Sequence, residues 1–230
     1  MIRRRTSNQL RSRARRLAVG SLAALALSAP LLSAGCNWVA AGFLLVHGPP
    51  RIEARHALQK ERTTVIFVDD RSNQLPTRAL RDVIARAAQD TLLAEGALIN
   101  VVDCKAAFSA VASEKSSEPM DLIALAKAVQ AEVLVYAAVE SFTLSEDGGS
   151  VSPSIAMRVK VMDATLGKRV WPEEKTGSSV VSTSRTGQGF QPTSQSDMAK
   201  MEQEAAKQAG LALAQVFFSH ERDSSGLKGE

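Results

Sequence analysis

The chain has 230 residues, of which 45% are hydrophobic, and a formal net charge of +4. Seven arginines but no lysine or acidic residue precede Cys36, so the chain from Cys36 onward has 21 basic residues against 24 acidic ones, a net charge near −3. Nucleic-acid binding needs a basic face on the folded domain, and this balance argues against it. The remaining length suffices for one ordinary domain with its own core.

Residues 1–35 have the layout of a lipoprotein signal peptide. An arginine-rich start and an apolar stretch from Leu17 to Leu32 lead to a lipobox, Leu32-Ser33-Ala34-Gly35-Cys36. The motif predicts cleavage before Cys36 and attachment of lipid, including palmitate, at its thiol. It would hold the protein on the periplasmic side of a bacterial membrane, inner or outer. An uncleaved membrane anchor is the alternative, because residues 37–46 prolong the apolar run and about twenty such residues span a bilayer.

The cysteines and histidines indicate no further chemistry. Lipidation of Cys36 leaves Cys104 without an intramolecular disulfide partner. Cys104 follows the apolar run 98–102, which predicts a small buried residue at a strand-to-helix junction. The three histidines are scattered, and no pair of them has the spacing of metal ligands.

The first half of the chain alternates predicted strands and helices. Residues 36–62 are interpreted as a lipidated apolar segment and a proline-rich tether, because Pro49-Pro50 blocks a helix and 51–62 is highly charged. The domain then spans 63–219. Its predicted strands are 63–68, 97–102 and 132–140, and its predicted helices begin after Thr77 and at Asp121. This order implies parallel pairing with right-handed crossovers.

After residue 140 the periodicity changes from 3.6 to 2, which predicts antiparallel strands over 155–161 and 169–171. Residues 177–195 are rich in Ser, Thr and Gly and are interpreted mostly as an exposed, flexible loop. A last helix is predicted over 196–219 and a disordered tail over 220–230. The predicted fold class is α/β (α+β), a single domain with a mixed parallel and antiparallel sheet in the order β-α-β-α-β-β-β-α.

Two segments carry a family resemblance. Residues 124–139 (Ala-Leu-Ala-Lys-Ala-Val-Gln-Ala-Glu-Val-Leu-Val-Tyr-Ala-Ala-Val) resemble the helix, small residue, acidic residue, apolar strand signature of envelope lipoproteins related to the curli-secretion channel subunit and the penicillin-binding-protein activators. The domain of that group is similar to the N-terminal domain of TolB. Residues 159–171 are similar to its strand, D-A-x-x-G, strand hairpin ending in Trp. The resemblance covers roughly 63–171 and implies a scaffold or adaptor lipoprotein; the long insertion that a channel-forming member needs is absent.

Carboxylates at the strand ends are the candidate ligand-binding residues. Asp69 and Asp70 follow the first predicted strand and Asp103 follows the second, where open α/β sheets place ligands. Aspartates at these positions are also common in turns and helix caps. The chain has no glycine-rich phosphate loop, G-x-S-x-G or H-E-x-x-H motif, so no catalytic residue, metal or cofactor is predicted.

The sequence therefore predicts a non-catalytic, lipid-anchored envelope protein that binds another envelope protein. The hypothetical partner surface is the basic side of the predicted hairpin 143–171, with Arg158, Lys160, Lys168 and Arg169 facing an acidic segment. A solvated polar face is the simpler reading of these charges. Two other functions stay open: a small-ligand or glycan-sensing module that uses the strand-end aspartates, and an auxiliary subunit of an export complex.

Overall fold

The computed structural model describes residues 51–113, 120–147, 150–184 and 192–221. Residues Arg51–His220 form one compact unit. The predicted signal peptide, Cys36 and residues 222–230 of the predicted tail lie outside the described residues. No helix within the described ranges is both long and apolar enough to cross a bilayer.

Strands and helices alternate through the first half of the compact unit, and strands dominate the second half. The strands are β1 (Arg51–Ile52), β2 (Thr64–Asp69), β3 (Val101–Val102), β4 (Val133–Asp147), β5 (Ser150–Asp163), β6 (Lys168–Trp171), β7 (Ser178–Thr183) and β8 (His220–Glu221). The helices are α1 (Ala79–Ala94), α2 (Cys104–Ser113), α3 (Leu122–Ala128) and α4 (Gln195–Ala214).

The main sheet has the order β3-β2-β4-β5-β6, and β7 pairs with β5 beside β6. Strand β2 is parallel to β3 and β4, whereas β5 is antiparallel to β4, β6 and β7. Strands β1 and β8 pair in a separate two-stranded sheet. Every residue of β2 is buried, as predicted for a central strand covered on both faces. The mixed α/β fold class is thus confirmed.

Two apolar cores lie on opposite faces of the main sheet. The larger core packs α1 and α4 against residues such as Ile66, Val135 and Val159. The smaller core packs α2 and α3 against Val65 and Leu134. The period-2 alternation of the strands produces this division, because successive side chains point to opposite faces.

Helices α1 and α4 approach each other closely at Gly210. A Cβ atom at this position would lie 2.5 Å from the Ile84 carbonyl oxygen and 2.6 Å from the Ala87 Cβ. No side chain fits at that separation, so Gly210 is required by packing rather than by backbone conformation.

Several element bounds differ from the sequence predictions. Strand β3 contains only Val101–Val102, because the amides of Ala97 and Leu98 bond to the carbonyl of Leu92 and continue the turn after α1. Helix α1 begins at Ala79, and its N-cap position is Arg78 rather than Thr77. No side-chain hydrogen bond caps this end of the helix. Helix α4 ends at Ala214, five residues before the predicted end.

The prediction of an exposed loop over 177–195 is wrong for Ser178–Thr183, which form β7. Val180 and Ser182 are buried while Val181 is 61% exposed, so the strand alternates although most of its residues are polar. Its partner residues in β5 lie 19 to 29 positions earlier in the chain, so the Ser- and Thr-rich composition alone did not identify a strand. Residues 185–191 of the predicted loop lie outside the described ranges.

Residues 51–62, interpreted from the sequence as part of a tether, pack on the compact unit. The amides of Arg55 and His56 donate to the Val216 carbonyl at 2.8 and 3.2 Å. The His56 ring stacks on Trp171 with centroids 5.5 Å apart. The contacts are made with residues more than 100 positions away, which explains why the local pattern resembled a linker.

Candidate functional site

Strand β5 leaves one of its faces only partly covered. Along 151–163 buried residues alternate with half-buried ones, and the buried Ile155, Met157, Val159 and Val161 belong to the larger core with α1 and α4. The half-buried set includes Ala156, Arg158 and Lys160. Lys160 and Arg158 pair with Tyr136 and Ala138 at the border of the smaller core, and Ala156 pairs with Ser141 outside that core. We call this surface the open face, defined by Ala138, Ala156, Arg158, Lys160 and Val181.

The structure brings together part of the basic cluster predicted from the sequence. Arg158 and Lys160 lie on the open face, and Arg169 pairs in register with Met162 on the same side of the sheet. Lys168 pairs with Asp163 and therefore lies on the opposite side, where the alternate residues of β5 face α1 and α4. The four cations thus do not form a single patch.

Two of these cations already have protein partners. Arg158 Nε donates to Glu140 Oε1 at 2.8 Å in an exposed pair. Arg169 donates to the carbonyls of Glu173 and Lys175, both at 3.1 Å, and so holds the loop that joins β6 to β7. The side chains of Lys160 and Lys168 have no hydrogen bond or ion pair within the described residues, and of these two cations Lys160 is the one on the open face.

The turn before β7 lies directly over the open face. A Cβ at Gly177 would lie 3.0 Å from Arg158 Cγ and 3.2 Å from Lys160 Cε, and this glycine has a φ of +94°. Glycine tolerates both the close approach and the positive φ. The aliphatic stems of Arg158 and Lys160 are therefore held in place while the charged ends remain accessible.

The second candidate site lies at the carboxyl end of β2, beside the part of β4 that pairs in parallel with it. Asp69 Oδ2 accepts hydrogen bonds from Arg71 Nε at 2.6 Å and from the Tyr136 hydroxyl at 3.0 Å. Burial, followed by the nearby Asp69 carboxylate, raises the pKa of Tyr136 to about 12, so its hydroxyl stays protonated and donates. A pocket of about 210 Å³ opens beside this cluster.

Asp70 and Asp103, the other two aspartates predicted for a ligand site, do not reach this pocket lining. Asp70 accepts the amides of Gln74 and Leu75 at 2.7 and 3.0 Å and so closes the loop after β2. Asp103 accepts the Lys105 amide at the start of α2. Because Val102 pairs with Val65, Asp103 lies level with residue 66, about 10 Å along the strand from Asp69.

The described residues hold no group of three or more His, Cys, Asp or Glu side chains placed to bind a metal ion. Cys104 is 1% exposed at the start of α2, as the sequence predicted. Burial, with a smaller effect of the Asp103 charge, raises the pKa of its thiol to about 11. A thiol that stays protonated and buried is a poor nucleophile.

Sequence reasoning missed Tyr136 and Arg71 at the strand-end site. Tyr136 is the single tyrosine of the chain and stands within the aliphatic run 133–139, which is a usable signal that its hydroxyl meets a buried partner. The partner itself could not be identified, because Asp69 lies 67 residues away.

No family model and no curated protein matches this chain. Solved structures with a similar arrangement include the PelC dodecamer of Paraburkholderia phytofirmans, at 15% identity over 73% of this chain and 93% of that chain, with a TM-score of 0.39. A lipoprotein of Neisseria meningitidis matches at 12% identity over 59% and 88%, with a TM-score of 0.38. The LpoB C-terminal domain of Salmonella enterica matches at 12% over 56% and 86%, with a TM-score of 0.35. Likeness at this level assigns no function to the chain.

Proposed function

We propose that this protein is a non-catalytic, lipid-anchored envelope protein that binds an acidic segment of a protein partner through the open face. The observation that carries the proposal is the alternation along β5, which buries one set of side chains and presents Arg158 and Lys160 on a face that the helices leave partly uncovered. The lipobox ending at Cys36 supplies the membrane attachment.

Charge and shape favour an acidic protein segment as the occupant. Lys160 has no hydrogen bond or ion pair among the described residues, and Arg158 is paired only with the exposed Glu140. Val181, which is 61% exposed, adds an apolar contact next to these charges. Charges at the rim of an interface mainly accelerate association and make it sensitive to salt.

The test is charge reversal in the full-length, lipidated protein. Arg158→Glu with Lys160→Glu should reduce capture of the native partner from the membrane, most clearly at low salt, with little change in melting temperature. A matched control reverses two exposed lysines away from the open face, Lys168→Glu with Lys105→Glu, and changes the net charge equally. Mass spectrometry of the captured protein would also show whether the partner belongs to an export complex.

The open-face variant and the control variant should give different results. Capture must fall for the open-face variant and remain near the wild-type yield for the control variant. Equal yields for the wild type and the open-face variant at low salt would show that the partner binds elsewhere.

A further inference from the structure

The pocket at the carboxyl end of β2, here called the strand-end pocket, combines an apolar lining with a polar corner. Its volume is about 210 Å³. The polar corner is formed by Asp69 and Arg71. The apolar lining residues are Phe67, Val111, Met120, Leu122 and Leu125.

One oxygen of Asp69 is unused. The residue is 8% exposed, and both of its hydrogen bonds, from Arg71 and Tyr136, end on Oδ2. Oδ1 accepts no hydrogen bond within the described residues, while Asp69 itself lines the pocket. No buried side-chain nitrogen or oxygen among the described residues lacks a hydrogen-bond partner, so Oδ1 keeps contact with solvent and is open to a donor from a bound molecule or a water.

Arg71 supplies the complementary groups. Only its Nε is used, on Asp69, and its side chain is 56% exposed. The guanidinium group therefore keeps free N–H donors next to the free carboxylate oxygen. An acceptor beside a donor fits an amide or amino acid head group, which carries an N–H and a carbonyl close together.

The volume limits the apolar part of the ligand. A cavity of about 150 Å³ holds a benzene molecule, and pockets for drug-sized ligands begin at about 300 Å³. We propose that the strand-end pocket binds a compact amino acid derivative, free or within a peptide. A side chain of phenyl or leucyl size fills the apolar lining, an N–H donates to Asp69 Oδ1, and a carbonyl accepts from Arg71.

The experiment uses N-acetyl-phenylalaninamide as the probe and methyl NMR of the full-length protein as the readout. Saturable shifts are expected for the methyl groups of Val111, Leu122 and Leu125. N-acetyl-alaninamide, which lacks the ring, and toluene, which lacks the head group, should each bind at least tenfold more weakly. A pentapeptide with a central phenylalanine separates the two sources, because tighter binding of the peptide indicates a peptide segment and tighter binding of the free derivative indicates a small molecule.

Two variants test the two parts of the site independently. In Asp69→Asn the amide oxygen is needed for Arg71 and Tyr136, so the amide nitrogen faces the pocket and replaces an acceptor by a donor. Val111→Trp fills the apolar lining from a position that is 38% exposed, and Val170→Trp, at a position 40% exposed in β6, is the matched control. Each pocket variant should weaken probe binding at least tenfold, whereas the control should not.

Three results would overturn the proposal. The first is the absence of saturable shifts up to roughly 10 mM probe, which leaves water as the occupant. The second is the persistence of these shifts in Val111→Trp. The third is equal binding of N-acetyl-phenylalaninamide, N-acetyl-alaninamide and toluene. If Asp69→Asn lowers the melting temperature, the comparison of Val111→Trp with Val170→Trp still shows whether the probe binds in the strand-end pocket. The open-face variant Arg158→Glu with Lys160→Glu should bind the probe like the wild type, so this site and the proposed partner surface can fail separately.

Discussion

Arg62 and Asp163 form a two-point ion pair that joins the segment before β2 to the turn after β5. Arg62 Nη1 lies 2.5 Å from Asp163 Oδ2, and Nη2 lies 3.1 Å from Oδ1. Oδ1 also accepts the amides of Thr165 and Leu166 at 2.9 and 2.8 Å. The aspartate of the D-A-x-x-G motif thus organises its own turn and anchors a residue 101 positions away.

Breaking this ion pair should destabilise the fold. Asp163 is 3% exposed, and removing its charge leaves the Arg62 guanidinium without its main partner. We expect Asp163→Asn to lower the free energy of unfolding by roughly 3 kcal/mol, measured by urea denaturation. Glu140→Gln, which removes an exposed ion pair, is the control and should cost less than about 1 kcal/mol. A double-mutant cycle that combines Asp163→Asn with Arg62→Met should show a coupling free energy between the two residues. Additive losses of stability would contradict an ion pair between Arg62 and Asp163.

The same carboxylate predicts a loss of stability in acid. The hydrogen bond from Arg62 is the main cause that lowers the pKa of Asp163 to about 2, from an ordinary value of 3.8. The folded state therefore binds this proton less readily than the unfolded state, and the stabilisation present above about pH 4 is lost as the pH falls towards 2. We expect the free energy of unfolding, measured by urea denaturation between pH 2 and 5, to depend more steeply on pH in the wild type than in Asp163→Asn. Identical slopes would show that this group does not control acid stability.

The His56 ring leads us to expect a second loss of stability on acidification, in a higher pH range. Burial lowers the pKa of the ring below 6.5, and the ring lies against Trp171 and Phe217, at 5.5 and 6.4 Å between centroids. As the pH falls below about 6.5 the unfolded state takes up the proton first, so stability should decrease. In His56→Phe the melting temperature should depend less on pH between pH 5 and 7 than in the wild type, and an unchanged dependence would show that this ring does not control stability in that range.

Gly210 should not tolerate even a methyl group. Gly210→Ala places a Cβ 2.5 Å from the Ile84 carbonyl oxygen, so α1 and α4 must separate, with an expected loss of about 2–3 kcal/mol. Gly96→Ala is a contrasting control, because its φ of +62° is unfavourable but its surroundings are open. That substitution should cost about 1 kcal/mol. Thermal unfolding of the two variants compares the cost of a steric clash with the cost of an unfavourable backbone conformation. A smaller loss of stability for Gly210→Ala than for Gly96→Ala would contradict the close packing of α1 and α4.

Cys36→Ala should abolish lipidation. The lipobox predicts that the Cys36 thiol is the attachment point, so the variant precursor should lack the lipid and lose its normal membrane association. Mass spectrometry of the mature N-terminus measures this directly. An unmodified Cys36 in the wild type, or an N-terminus well upstream of it, would support the uncleaved anchor instead.

The central part of the fold was predictable because its signals are local. The nearly continuous apolar runs of β2 and β4 indicated strands buried on both faces, and the change from a 3.6-residue to a 2-residue period marked the transition to antiparallel strands. Strand β7 was missed because its residues are mostly polar and its pairing depends on β5. Residues 51–62 were interpreted as a tether because their contacts lie far away in the chain.

For the candidate sites, residue types were predictable but their partners were not. The sequence alone determined the central strands, the lipobox, the buried environment of Cys104 and the positions of the charged residues. Only the tertiary structure decided that Asp69 meets Tyr136 and Arg71 at a pocket while Asp70 and Asp103 do not, and that Lys168 lies on the other side of the sheet from Lys160. The physical reason is that periodicity is a property of neighbouring residues, whereas strand register and side-chain pairing depend on packing between distant segments.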